Sequence, residues 1–135
     1  MREIYSKVQK DVLLHIVNKQ SEITLDRCNM TPDNEFLQVS HFKLNKGKTF
    51  KPHKHIENIR ETNITQESWI VIKGKIKAIL YDLDDTILEE VILESGDCSV
   101  TLRGGHNYLC LEDDSVVYEY KTGPYFGIDR DKTMI

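Results

Sequence analysis

Cysteine is scarce in this chain of 135 residues, which has only Cys28, Cys98 and Cys110. The number is odd and no two of them form a Cys-x-x-Cys pair, so the sequence shows neither a disulfide framework nor a cysteine-rich zinc site. A chain of this length can also bury a core large enough to need no covalent cross-link. We therefore expect reduced thiols and a cytoplasmic protein.

Long apolar runs are missing as well. No stretch approaches the length of a membrane span, and the segment that follows Met1 has no apolar signal-peptide core. The 18 Lys and Arg residues against 22 Asp and Glu residues give a formal net charge of −4, the opposite sign to a nucleic-acid-binding domain. The expected partners therefore include neither a membrane nor a nucleic acid.

The chain also lacks repeats, low-complexity tracts and flexible linkers, which predicts one domain. Residues 1–34 are predicted to form an N-terminal arm or helix and a loop that pack on the rest. Apolar residues between Glu3 and Gln20 recur every three to four positions, as in an amphipathic helix, but Val12–Val17 would serve equally well as a strand. His15, inside this segment, is better explained as a packed or surface histidine than as a ligand.

Residues 35–135 have the pattern of an all-β unit, in which short β-forming runs alternate with turns. Asp82–Asp85 is predicted to be a tight acidic hairpin turn. Many short strands with regular turns favour a sandwich or barrel, here a jelly roll. The predicted strands are Phe36–Leu44, Trp69–Ile72, Ile76–Tyr81, Thr86–Leu93, Cys98–Leu102, His106–Leu111 and Val116–Lys121.

His53 and His55 are the first candidate site residues. If both lie on one strand, their side chains point to the same face, where two neutral imidazoles could bind a transition metal. Glu67 opens a strongly β-forming run and could add a carboxylate from a neighbouring strand. Glu57 and Glu61 are rival carboxylates, closer to the histidines in sequence.

A second stretch has a similar order of glycine, short β run, glycine turn and histidine. Together the two stretches resemble the paired motifs of the cupin superfamily, although Leu102 stands where those motifs usually have proline. The ending Glu119–Tyr125 further resembles the small WbuC-type cupins associated with surface-polysaccharide gene sets. The residues that carry the paired motifs are Gly47, His53, His55, Glu67 and Gly74 in the first stretch, and Gly96, Gly104 and His106 in the second.

This resemblance implies a cupin jelly roll with one divalent transition metal (Fe, Mn, Ni, Co or Zn) bound by His53, His55, Glu67 and His106. It implies a small-molecule ligand, most simply a carbohydrate or nucleotide-sugar, and an isomerase- or epimerase-like reaction. An Fe(II)-dependent dioxygenase and a non-catalytic binding module are the alternatives. Exposed strand edges on a small barrel favour a homodimer. Further candidate catalytic residues are Tyr108, Lys121 and Tyr125.

Overall fold

The computed structural model describes residues 1–135 and consists mainly of antiparallel strands, with almost no helix, which confirms the all-β prediction. One short 3₁₀ turn (Gln20–Glu22) and a single-turn helix α1 (Ile128–Asp131) are the exceptions. The strands are β1 (Arg2–Tyr5), β2 (Leu13–Asn18), β3 (Arg27–Asn29), β4 (Ser40–Phe42), β5 (Glu67–Lys73), β6 (Lys75–Tyr81), β7 (Ile87–Glu94), β8 (Cys98–Thr101), β9 (His106–Cys110) and β10 (Val116–Lys121).

The strands form three sheets. The largest has the order β1-β2-β8-β5-β10, a second has the order β7-β6-β9, and β3 pairs with β4. Every strand pair is antiparallel. Closure into a barrel or jelly roll stays a prediction.

The main core lies between the five-stranded and the three-stranded sheets. Strand β6 shows how the sequence builds it, because Ile76, Ala78 and Leu80 alternate with more exposed residues and are all buried. They pack with Val71 from β5 and Leu93 from β7, which are fully buried. Burying a side chain of this size stabilises the fold by about 1.5–3 kcal/mol, so this layer sets the spacing of the two sheets.

A second core covers the other face of the five-stranded sheet. Ile16 of β2 and Val100 of β8 point to that face, and Met30, Leu37 and Val39 from the region of β3 and β4 cover them. Strand β8 is therefore buried on both faces, which suits a central strand. Its inward residues are held rigidly where the site is formed.

The observed strands confirm most of the predicted ones and the Asp82–Asp85 turn that joins β6 to β7. Two segments differ. Of the alternatives open for Val12–Val17, the strand is the one observed, since β2 pairs with β1 and β8 inside the main sheet. The predicted strand Phe36–Leu44 is reduced to Ser40–Phe42. The longest helix has four residues, and no helix is suited to span a bilayer.

Candidate functional site

A row of polar residues crosses the five-stranded sheet at one level. His15 on β2 pairs with Thr101 on β8, Thr101 pairs with Glu67 on β5, and Glu67 pairs with Lys121 on β10. Directly paired residues of antiparallel strands share a face. This face is the inner one, because Val17, two residues beyond His15, belongs to the core between the sheets. We call these four residues the polar row.

His106 on β9 reaches the polar row from the facing sheet. Its Nε2 lies 3.1 Å from Oε1 of Glu67, and the Nε1–H of Trp69 donates to the same oxygen at 2.7 Å. Glu67 is 5% exposed, so these bonds replace water around its charge. The other ring nitrogen of His106, Nδ1, is buried and has no hydrogen-bond partner. The pair thus has one imidazole nitrogen whose bonding capacity is unfilled.

The environment of Glu67 keeps it ionised. Burial alone would raise its pKa, but the hydrogen bond and positive charge of His106, together with the Trp69 bond, lower that pKa to about 2. A carboxylate ionised at neutral pH accepts a hydrogen bond from Nε2 of His106. Glu67 therefore orients the imidazole, while Nδ1 is the buried ring nitrogen that has no protein partner.

Tyr108 of β9 forms the inner wall of the site. Its ring stacks on Trp69 with the centroids 4.0 Å apart, and its hydroxyl lies 2.9 Å from Oγ of Ser99. Burial raises the pKa of Tyr108 far above its ordinary value, so the phenol stays protonated at neutral pH. Of the candidate catalytic residues, Tyr108 is therefore placed as a packed hydrogen-bonding group beside the pair.

His15 is the site neighbour that sequence reasoning missed. The side chain is fully buried; Nδ1 lies 3.1 Å from Oγ1 of Thr101 and Nε2 lies 2.9 Å from the carbonyl oxygen of Tyr81. Burial lowers the pKa of His15 to about 4, which keeps the ring neutral at pH 7. The pairing of β2 with β8 was the missing information, because Thr101 lies 86 residues away in the sequence.

Gly104 allows the chain to turn closely above His15. Its φ is +79°, and a Cβ there would lie 2.6 Å from the Tyr81 carbonyl oxygen and 3.3 Å from Nε2 of His15. An L-residue would be strained in this conformation and would also collide with the backbone. The glycine thus protects the hydrogen bond between His15 and Tyr81.

Lys121 and Tyr125 belong to the C-terminal part of the site. The Lys121 ammonium lies 3.3 Å from a carboxylate oxygen of Asp131 and 4.3 Å from the centre of the Tyr125 ring. Asp131 also accepts a hydrogen bond from the Thr65 hydroxyl at 2.8 Å. These contacts anchor the tail beside the polar row, while Tyr125 itself stays exposed.

A cavity of about 500 Å³ opens over Glu67 and His106. Thr101 and Arg103 contribute to its wall from the end of β8 and the turn that follows, and residues 131–135 line the opposite side. Arg103 is tied to Glu35 by a contact of 2.7 Å. Neither Thr101 nor Arg103 was singled out from the sequence; both lie beside the Gly104–Gly105 turn that the motif comparison had marked.

His53 and His55 do not lie on a strand, which was the condition for their side chains to share a face. No strand falls between β4 and β5, and both side chains are exposed, as are the rival carboxylates Glu57 and Glu61. The two rings lie 5.6 Å apart, edge to face, and Nδ1 of His53 bonds the Lys51 carbonyl at 3.0 Å. A polar, lysine-rich segment offers no apolar alternation that would fix it to a sheet.

The expected four-ligand metal site is therefore only half assembled. Glu67 and His106 supply one carboxylate and one imidazole, donor types that suit a divalent transition metal. Nevertheless, no group of three or more His, Cys, Asp or Glu side chains is arranged to hold an ion. In the present arrangement, the residues do not fit the metal that the resemblance implies.

Comparisons with known proteins do not assign the chain to a family. No protein-family model matches the chain, and neither a curated protein nor a solved structure matches it.

Proposed function

We propose that this protein binds a small polar molecule in the cavity over Glu67 and His106, and that the ligand is a carbohydrate or nucleotide-sugar. The observation that carries the proposal is the Glu67–His106 pair, a buried carboxylate and a half-buried imidazole that line a cavity of about 500 Å³. Cavities of this volume accommodate small-molecule ligands. The polar lining favours a ligand rich in hydroxyl groups, and the resemblance to polysaccharide-associated cupins points to the same class.

The pair is suited to proton transfer of the isomerase or epimerase type. His106 would take a proton from the carbon next to a sugar carbonyl and return it to the carbonyl carbon, while the proton of the neighbouring hydroxyl group passes to the carbonyl oxygen. The ionised Glu67 would orient the imidazole and stabilise its protonated form, as a buried carboxylate does for a catalytic histidine. Tyr108, still protonated, packs behind the pair and bonds Ser99.

Solvent exchange tests this directly. The protein is incubated in D₂O with a panel of nucleotide-sugars and the corresponding free sugars, and NMR follows deuterium incorporation at carbon. We expect wild type to exchange one C–H of one sugar type and His106→Gln to lose that exchange. Glu67→Gln should reduce it by at least about tenfold, as for removal of a charged hydrogen-bond partner. Binding of a sugar without exchange would instead support the non-catalytic module.

Two matched controls accompany these variants. His53→Gln removes an exposed histidine, and Glu89→Gln removes a carboxylate from β7 that pairs with Arg2 at 2.8 Å. Both should leave binding and exchange unchanged, because neither side chain lines the cavity. A protein that binds no member of the panel, measured by thermal shift and calorimetry, would overturn the proposed ligand class.

A metal-dependent function, including the Fe(II) dioxygenase, is the second candidate. The observation behind it is that Glu67 and His106 bring one carboxylate and one imidazole together, donor types that suit a divalent transition metal. Such a site would need His53 and His55 to approach the pair. Metal analysis after anaerobic purification and oxygen uptake with added Fe(II) test it. A bound ion that is lost in both His53→Ala and His106→Ala would establish this candidate.

We propose that the protein acts in the cytoplasm and that it forms a homodimer. All three cysteines are free, as expected in a reducing compartment. Strand β10 is at one edge of the main sheet and exposes Tyr118 and Tyr120, and such an edge can pair with a second copy. Sedimentation of the purified protein tests the dimer.

A further inference from the structure

We propose that His15 is a positioning residue that fixes the Thr101 hydroxyl as a hydrogen-bond acceptor toward the cavity. The cavity floor, formed by Thr101 and Glu67, therefore selects a hydroxyl group of the ligand over an anionic oxygen. The inference rests on the proposed function, because it concerns the ligand of that site. It assigns the sugar part of a nucleotide-sugar, and not its phosphates, to the cavity floor.

The first step is the tautomer of His15. Its Nε2 lies 2.9 Å from the carbonyl oxygen of Tyr81, and a carbonyl can only accept a hydrogen bond. Nε2 therefore carries the proton. Burial keeps the ring neutral at pH 7, so Nδ1 has no proton and can only accept.

The second step is the direction of the Thr101 hydroxyl. Oγ1 lies 3.1 Å from Nδ1 of His15, and a bare nitrogen must receive the hydrogen, so Thr101 donates to His15. Because its only proton is donated to His15, Oγ1 can only accept hydrogen bonds from other groups. Its lone pairs are available to a ligand in the cavity that Thr101 lines.

The third step is that the neighbouring group is also an acceptor. Glu67 is paired with Thr101 across β8 and β5, and its hydrogen bonds with Trp69 and His106 both go to Oε1. Oε2 therefore has neither of these donors. Two adjacent acceptors match a ligand that presents O–H donors, and they repel phosphate or carboxylate oxygens.

The cations near the floor do not reverse this preference. Arg103 is paired with Glu35 at 2.7 Å and Lys121 with Asp131 at 3.3 Å, whereas Lys132 lines the cavity from the C-terminal side, opposite Thr101. The charges of Arg103 and Lys121 are thus each balanced by an acid of the protein itself. An anion at the floor would have to compete with those acids, whereas a neutral hydroxyl would not.

The tautomer can be measured without a ligand. A long-range ¹H–¹⁵N spectrum of the imidazole rings distinguishes a protonated Nε2 from a protonated Nδ1. We expect His15 to be neutral with the proton on Nε2 at pH 7, and we expect a slowly exchanging Thr101 hydroxyl proton coupled to Nδ1. A proton on Nδ1, or rapid exchange between the two forms, would overturn the inference whatever the protein binds.

Binding tests the consequence for the ligand. The probes are the panel sugar that wild type binds, its deoxy analogues and inorganic phosphate. One deoxy analogue should bind about tenfold to hundredfold more weakly to wild type, as for a lost buried hydrogen bond. Thr101→Val should remove that discrimination and Thr101→Ser should keep it. Inorganic phosphate that competes with the sugar in wild type but not in Thr101→Val would contradict the assignment.

A matched pair of substitutions isolates His15. In His15→Asn the amide oxygen can replace Nδ1 as the acceptor for Thr101, whereas in His15→Gln the amide nitrogen can replace Nε2 as the donor to Tyr81. We expect His15→Asn to keep discrimination against the deoxy analogue and His15→Gln to lose it. A merely structural role would make both variants lose stability with no difference in discrimination. If wild type binds no sugar, the proposed function fails, while the tautomer measurement still decides the role of His15.

Discussion

His15 and His106, on strands that meet at the site, differ in everything that fixes a side chain from His53 and His55, in the segment between β4 and β5. His15 and His106 lie on paired strands and contact groups on neighbouring strands or on the facing sheet. His53 and His55 lie outside any strand and are exposed. The one hydrogen bond that either ring makes joins His53 to Lys51, two residues away. Strand register, more than the number of histidines, therefore decides which imidazoles can form a site.

The largest expected difference between the two groups concerns stability. His15→Ala leaves a cavity and removes the partners of buried Thr101 and the Tyr81 carbonyl, so the free energy of unfolding should fall by about 3 kcal/mol. His53→Ala and His55→Ala should change it by less than about 0.5 kcal/mol, as exposed substitutions do. Urea unfolding measures all three. Equal losses of unfolding free energy in His15→Ala and His53→Ala would contradict the difference between the two groups of histidines.

Acid should destabilise the protein through His15. Its pKa is about 4 in the folded protein, lowered from 6.5, so the unfolded chain binds the proton more readily between these values. Stability is therefore fully present above pH 6.5 and is lost as the pH falls to 4, by up to about 3 kcal/mol. The pKa of Glu67 is also lowered, so its contribution is lost at still lower pH, between about 4.5 and 2.

Urea midpoints at a series of pH values measure this loss. In His15→Asn, which has no titrating group at this position, the part of the slope between pH 6.5 and 4 should flatten. His53→Asn is the control and should keep the slope of wild type. An unchanged slope in His15→Asn would show that another group causes the acid sensitivity.

Two glycines show the same contrast in the backbone, one beside the site and one in the exposed segment. Gly104 and Gly47 both have positive φ, +79° and +86°, but a Cβ at Gly47 would meet nothing within 4 Å. Gly47→Ala should cost about 1 kcal/mol for the conformation alone. Gly104→Ala should cost about 2–3 kcal/mol, because its Cβ also collides with the Tyr81 carbonyl. Thermal unfolding of both variants measures the difference, and equal losses would contradict the described turn.

The smallest effect is expected at the inner wall of the site. Tyr108→Phe keeps the ring stacked on Trp69 but removes the partner of the Ser99 hydroxyl, so unfolding should be easier by about 1 kcal/mol. Tyr125→Phe, at an exposed phenol, should have no measurable effect. Chemical unfolding of the two variants tests the contrast, which would disappear if the Tyr108 hydroxyl were solvated.

Much of the strand-borne half of the site could be predicted from the sequence. Gly74 and Gly96 have φ of +85° and +87°, and glycines in such positions mark the turns that delimit strands. The β-forming run after Glu67 and the strand that begins at His106 followed from these signals. The resemblance implied that Glu67 and His106 share a metal ion, whereas the structure places them in a direct contact of 3.1 Å.

The rest could not be predicted for physical reasons. Placement of His53 and His55 depended on a strand, and their polar surroundings give no buried face that would set a register. His15 was expected to be a packed or surface histidine, but its place in the sheet could not be predicted, because a short apolar run such as Val12–Val17 fits a helix and a strand equally well. Its role depends on pairing with Thr101, a contact between distant residues that local patterns do not contain.

The central claim is that the ligand site lies at Glu67 and His106 and excludes the exposed histidines. The chain has five histidines, so their imidazole signals can be followed individually by NMR while the nucleotide-sugar panel is added. The claim predicts that the His106 signals shift and saturate with one sugar while those of His53 and His55 stay unchanged. Shifts confined to His53 and His55, with His106 unaffected, would contradict it.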